Sequence, residues 1–149
     1  YWLVKSEPNT YSIDDLKRDV LTNWAGVRNY QARNFLKDME VGDEVLFYHS
    51  VVEPIGVAGL GKVARKAYPD PSQFDKKSEY FDAKSSRDAP RWYCPDIKFL
   101  KKFKNIAALA DLKKDKELKA MALLQKGSRL SVQPVTAREF SRILKIAGE

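Results

Sequence analysis

Between positions 23 and 36 the chain reads NWAGVRNYQARNFL. The stretch holds Trp24, Arg28, Asn29, Tyr30, Gln31, Arg33 and Asn34, all groups that stack or hydrogen-bond, and it contains no acid. That chemistry suits the reading of a nucleic-acid base. A flat aromatic face takes the base, worth about 1–3 kcal/mol in stacking, and directional groups take its edge. Trp24, beside Gly26, is the leading stacking candidate, with packing into the core as its competing role. The Gly26-Val27 backbone lies next to it. Arg28 and Arg33 flank the start of a helix, where they suit phosphate contacts; pairing with acids such as Glu7 or Asp38 is the alternative. Asn29 fits a helix N-cap as well as it fits base reading. Tyr30 has helical spacing with Phe35 and reads as core.

A second group sits at strand ends, where side chains can face a pocket mouth. Lys5, Ser6 and Glu7 close the first strand, and His49 with Ser50 closes a later one. Ser50 offers a hydroxyl to a base edge or caps a turn, and a lone histidine is more often structural. Trp92, after Pro90-Arg91, reads as core first and pocket wall second. Arg129 and Ser131, in the run SRLS after Gly127, suit phosphate or base contacts. Lys101, Lys102 and Lys104 extend a possible phosphate track.

Reaction chemistry is much thinner. His49 and Ser50 are neighbours on a strand, so their side chains diverge. Cys94, followed by Pro95, reads as a small buried hydrophobe rather than a nucleophile. There is no P-loop, GxGxxG or HExxH. The expectation is a binding protein, not an enzyme, with no cofactor and no metal.

The elements that must position these groups follow from pattern. YWLV predicts a first strand, ended by Pro8. Ser12 with Asp15 predicts a capped helix through about Val20, and 22–27 reads as a loop. A helix is expected over 29–39, stopped by Val41-Gly42-Asp43. EVLFYHSV (44–51) is almost continuously apolar, hence a strand buried on both faces over most of its length. A turn at Glu53-Pro54 leads to a strand over 55–67, where Gly56, Gly59 and Gly61 suggest bends or bulges. Residues 69–90 read as a long loop, and 92–103 as a strand. Helices are expected from Asn105 through Leu112 and over 118–125. A short strand over 130–134 and a helix capped by Thr136 and Glu139 complete the chain. Strands that do not alternate with helices fit an α+β domain with a small, curved, mainly antiparallel sheet or barrel.

The 149 residues suit one domain with a normal core. No apolar run approaches a membrane span. A single cysteine makes no intramolecular disulfide and points to a reducing compartment, hence the cytoplasm. The net charge of +7 is unevenly spread, residues 101–149 holding 12 basic against 5 acidic side chains. Such a surface favours polyanions, although the Lys-rich segment 112–119 reads more simply as a solvated face. Compact size and the lack of heptads suggest a monomer.

The motifs YWLVKSEP, WAGVRNYQARNFL, VGDEVLFYHS, AYPDP, RWYCPDIKF and RLSVQPVT, in this order along nearly the whole chain, resemble the EVE domain family. The resemblance implies a PUA-like fold, a small mainly antiparallel β-barrel with flanking α-helices. It also implies recognition of a modified or flipped-out base, methylated or hydroxymethylated, in DNA or RNA. Lys5-Ser6 and Trp24 are further similar to positions in YTH domains, where an aromatic cage holds a methylated adenine. Two other readings stay open: an RNA-processing hydrolase of ASCH-like type, and a sensor of a small ligand or nucleotide using the same pocket.

Overall fold

The computed structural model describes residues 1–149. Six strands form one sheet: β1 (Trp2–Ser6), β2 (Leu21–Asn23), β3 (Glu44–His49), β4 (Gly56–Pro69), β5 (Tyr93–Ala108) and β6 (Val132–Pro134). Their spatial order is β2-β5-β4-β3-β1-β6. β1 and β3 pair in parallel, and every other pairing is antiparallel. Four helices flank the sheet: α1 (Ile13–Asp19), α2 (Tyr30–Asp38), α3 (Leu109–Lys114) and α4 (Ala137–Ile146).

The sheet is not closed into a barrel. Its edges, β2 and β6, have three residues each and do not pair with one another. Both faces are instead buried, each under its own helical layer. On one face Leu3, Leu46, Tyr48, Val57, Phe103 and Ala107 pack against Leu112 of α3 and Phe140 and Ile143 of α4. On the other, Val4, Val45, Phe47, Ala58 and Ile97 pack against Ile13 and Leu16 of α1 and Ala32 and Leu36 of α2. The apolar run of β3 supplies both layers by strict alternation, as its composition predicts. Register shifts in the β3–β4 pairing and at four points along β4–β5 mark bulges that bend the long strands. Gly59 is part of that bend: a Cβ there would lie 2.4 Å from the Lys101 carbonyl oxygen.

Both predicted capping boxes form. Ser12 exchanges hydrogen bonds with Asp15 at α1, and Thr136 does so with Glu139 at α4; a cap of this kind is worth about 1 kcal/mol. Three expectations fail. Residues 22 and 23, the first two of the expected loop, belong to β2 and pair with β5. Residues 105–108 extend β5 rather than opening a helix, because Ala107 and Ala108 complete the ladder with Val57 and Gly56 while Ala107 enters the core. Residues 118–125 form not one helix but turns around two short 3-10 segments, Lys116–Leu118 and Ala122–Leu124, which tuck Leu118, Met121 and Leu123 under the sheet.

The topology collects several chain ends at one edge of the sheet. Ser6 lies beside His49, and His49 beside Gly56, which pairs with Ala108. Ser131, immediately before β6, accepts the Lys5 N–H at 2.9 Å.

Candidate nucleic-acid interface

A cleft of about 620 Å³ opens at that end of the sheet. Its floor is the end of β1, where Lys5, Ser6 and Glu7 meet Ser131. One wall is the segment 22–28, which leaves β2 and enters α2. The other comes from Thr10 and Tyr11, ahead of α1, and from Tyr80 of the long loop.

Trp24 stands between core and cleft. It is 9% exposed, and it meets Phe47 edge-on with ring centroids 5.5 Å apart. Its backbone N–H donates to the Pro95 carbonyl at 2.9 Å. Its indole N–H has no partner within the chain, yet the one buried unpaired side-chain atom is Gln133 Oε1, so the indole edge is accessible from the cleft. Core packing and base contact are therefore compatible in this residue.

The wall beside Trp24 is held from behind by Asp70, a fully buried carboxylate. It accepts the Gly26 N–H at 2.8 Å, the Ser72 N–H at 2.8 Å and hydroxyl at 2.6 Å, and Arg28 Nη1 at 3.1 Å. Burial works to raise its pKa, but the hydrogen bonds from Ser72, Gly26 and Arg28 outweigh it and hold the carboxyl below its ordinary range. Gly26 has φ +85°, and a Cβ there would meet the Tyr80 ring at 2.9 Å. Only glycine lets the two walls touch in this way.

Arg28 differs from its expected part. All five of its N–H groups are used within the chain. Nε and Nη2 donate to the Tyr80 carbonyl at 3.1 and 2.7 Å, Nη2 also to Ser72 Oγ at 3.0 Å, and Nη1 to Val27 and Asp70 at 3.0 and 3.1 Å. Its guanidinium lies 5.6 Å from the Tyr80 ring centroid and 5.3 Å from that of Trp92. Arg28 lines the cleft as a clamp between its walls, with no donor left over for a phosphate.

Of the other candidates, all but Lys5 fall outside the cleft lining. Asn29 caps α2, its side chain accepting the Ala32 N–H at 2.9 Å. Arg33 donates to the Arg91 carbonyl and to Asn34, and lies over the Tyr30 ring. Tyr30 is not core: it is half exposed and stacks on Trp92 at 4.9 Å. Trp92 is buried behind it, donating its indole N–H to Asp82 at 2.7 Å. His49 is buried, and its Nε2 accepts the Ile13 N–H at the start of α1 at 3.1 Å. Burial pushes its pKa below 6.5, so the imidazole is a neutral acceptor. Ser50 continues the pairing of β1 and β3 through its N–H to the Ser6 carbonyl. Arg129 is exposed, two residues from the cleft. Lys5 is distinctive: successive β1 residues alternate, so its side chain leaves the face opposite Val4 and Ser6, and its ammonium stands 5.9 Å from the Tyr48 ring centroid. It has no acidic partner, and burial lowers its pKa.

The cleft thus brings together Lys5, Ser6, Glu7, Trp24, Gly26, Val27, Arg28 and Ser131, and adds Thr10, Tyr11, Thr22, Asn23, Ala25 and Tyr80. Thr22, Asn23 and Ala25 are near neighbours of Trp24 in the chain. Nothing in the spacing places Tyr80 beside Gly26, 54 positions away. No group of three or more His, Cys, Asp or Glu side chains is placed to hold a metal ion. Cys94 is fully buried, and burial pushes its thiol up to about 12.

The profile of the EVE domain matches residues 1–146. The chain belongs to the EVE domain family. It is 43% identical to thymocyte nuclear protein 1 of Danio rerio, over 99% of this chain and 72% of that protein. Among solved structures, a Pseudomonas syringae protein superposes with a TM-score of 0.96 at 50% identity, over 99% of both chains. The human THYN1 protein, in a complex with DNA containing 5-methylcytosine, superposes with a TM-score of 0.92 at 41% identity, over 99% of this chain and 97% of that one.

Proposed function

We propose that this EVE protein is a non-catalytic reader of a methylated base, with DNA as its first substrate and the cleft at Trp24 as its base pocket. The carrying observation is that cleft itself: an indole edge with a free N–H, set among backbone groups, in a fold shared with a human protein bound to 5-methylcytosine DNA. A base entering the cleft would rest against Trp24 and the Tyr80 wall, with Ser6, Ser131 and the 22–27 backbone available to its edge. Reading a duplexed base requires its extrusion, at a cost of a few kcal/mol, which stacking offsets. The methyl group adds burial of about 0.8 kcal/mol, so discrimination from shape alone is roughly fourfold. Two facts support a binding rather than a catalytic role. The His49 acceptor nitrogen is occupied by a backbone N–H, and the Cys94 thiol is buried and held protonated.

The test is anisotropy titration of paired oligonucleotides, 5-methylcytosine against cytosine, in DNA and in RNA. Tighter binding of the methylated DNA, reduced to parity by Trp24→Phe, is expected. Equal and wholly salt-sensitive binding to every oligonucleotide would overturn the reading, being phosphate attraction alone. Binding of free 5-methylcytidine as tight as that of the oligonucleotide would point instead to a small-ligand sensor.

A further inference from the structure

A second concavity, about 360 Å³, lies apart from the base cleft and is lined by Lys113, Lys114, Asp115, Lys116, Lys119 and Leu124. A run of lysines is ordinarily a solvated face whose charge is tempered by interspersed acids. Here the acids are already engaged. Asp115 and Glu117 are ion-paired to Arg142 and Arg138 of α4, and Asp115 is the N-cap of a 3-10 turn, accepting the Glu117 N–H at 2.8 Å. None of the four lysines has an acidic partner within ion-pairing distance. The turn that carries the acids is fixed by burial, because Leu112 and Leu118 on either side of it are fully buried under the sheet. Four lysines and one carboxylate line the hollow, and that carboxylate is already paired with Arg142, so the lining keeps an excess of positive charge.

Topology relates this hollow to the base cleft. The segment 109–131 leaves the sheet after Ala108, which pairs with Gly56 at the cleft end, and returns at Ser131, which lines the cleft. It therefore begins and ends toward the same end of the sheet, and its last residue lies in the cleft lining itself. Lys5, which lines the cleft, has an unpaired ammonium on the same face of the sheet as this segment, and Arg129, within the segment, is exposed.

The geometry points to the Lys113–Lys119 hollow as a site that grips the phosphate backbone of the nucleic acid whose base occupies the cleft. This rests on the proposed base-reading role but concerns affinity, not discrimination. Within the cleft every Arg28 donor is satisfied internally, which leaves the Lys5 ammonium as its one free cation; further phosphates need charge from outside the cleft. The lysine hollow supplies point charges suited to phosphate and no group suited to a base edge.

The test uses the whole protein with Lys113, Lys116 and Lys119 all changed to Gln, against a control carrying Lys76→Gln and Lys77→Gln on the long loop. Binding to methylated and unmethylated DNA is titrated over a range of salt concentrations, and folding is checked by circular dichroism. The expected result is a parallel loss of affinity for both oligonucleotides. The log–log salt slope should become shallower by about 0.9 for each phosphate that the protein no longer neutralises, with the methyl discrimination ratio unchanged. An unaltered slope in the triple variant, or an equal change in the control, would overturn the inference while leaving the base-reading role standing. A wild-type protein that binds both oligonucleotides equally, but loses slope in the triple variant, would sink base reading and keep the phosphate site. Stabilisation of wild type by inorganic tripolyphosphate, with DNA affinity indifferent to the three lysines, would assign the hollow to a free polyphosphate and overturn the inference as well.

Discussion

At the scale of single residues, the most informative side chain is Arg28. Residue type and position suggest a phosphate ligand, whereas five internal hydrogen bonds make it a strut. The two roles predict opposite results. Arg28→Ala strips the fully buried Asp70 carboxylate of its one ionic partner, and breaking such a pair costs about 3–5 kcal/mol. Urea denaturation should therefore show a large loss of stability, with only a secondary loss of DNA affinity and little change in its salt slope. A variant as stable as wild type but with a slope shallower by about 0.9 would return Arg28 to the phosphate role. Arg28→Lys should fall between, since an ammonium keeps the charge but lacks the fork that spans Asp70, Ser72 and the Tyr80 carbonyl.

At the scale of elements, the cleft is a junction of two segments far apart in sequence, and Gly26 is where they touch. Gly26→Ala imposes a left-handed backbone on a residue with a Cβ, at roughly 1–2 kcal/mol, and pushes that Cβ into the Tyr80 ring. The second effect disappears when Tyr80 is truncated. A double-mutant cycle with Tyr80→Ala should show Gly26→Ala costing clearly less stability in the truncated background than in wild type. Additive costs would mean that the two walls do not bear on each other. The same junction shows why sequence reveals some parts of the site and hides others. Trp24, Gly26 and Ser6 are legible because residue type and local strand or loop context identify them. The α1 and α4 caps and the two-faced β3 are legible because their signals are local and periodic. Tyr80 is hidden because a long loop carries no period, and its placement depends on Asp70, Ser72 and Arg28 closing a network across the fold. The open sheet is hidden for a related reason. The glycines of β4 announce bends, but whether β2 meets β6 depends on global closure rather than on either strand's own composition. Residues 105–108 fail similarly, since helix-compatible residues are drafted into β5 by the ladder with β4.

At the scale of the whole molecule, one imidazole should tie binding and folding to pH. His49 Nε2 accepts the Ile13 N–H and so anchors the start of α1, immediately after Thr10 and Tyr11 of the cleft wall. Burial depresses its pKa below 6.5; Asp14 opposes that shift and Lys102 adds to it. The unfolded chain, with an ordinary histidine, takes up a proton at higher pH than the folded one. Stability from this group is thus fully present above about pH 6.5 and is lost as pH falls through the depressed folded value. The buried Asp70 carboxylate acts in the same direction but lower, its contribution fading only as pH drops below its unfolded value of 3.8. Two acid steps should therefore separate in a stability profile. His49→Gln replaces the titrating acceptor with a neutral one and should flatten the first step while leaving the second. DNA affinity of the wild type should weaken over the first step, because protonating Nε2 removes the acceptor that fixes the α1 start and the wall before it. Added phosphate attraction from a newly charged His49 would instead strengthen binding as pH falls. That opposite sign, or a first step that survives in His49→Gln, would show that the imidazole does not couple the cleft to the fold.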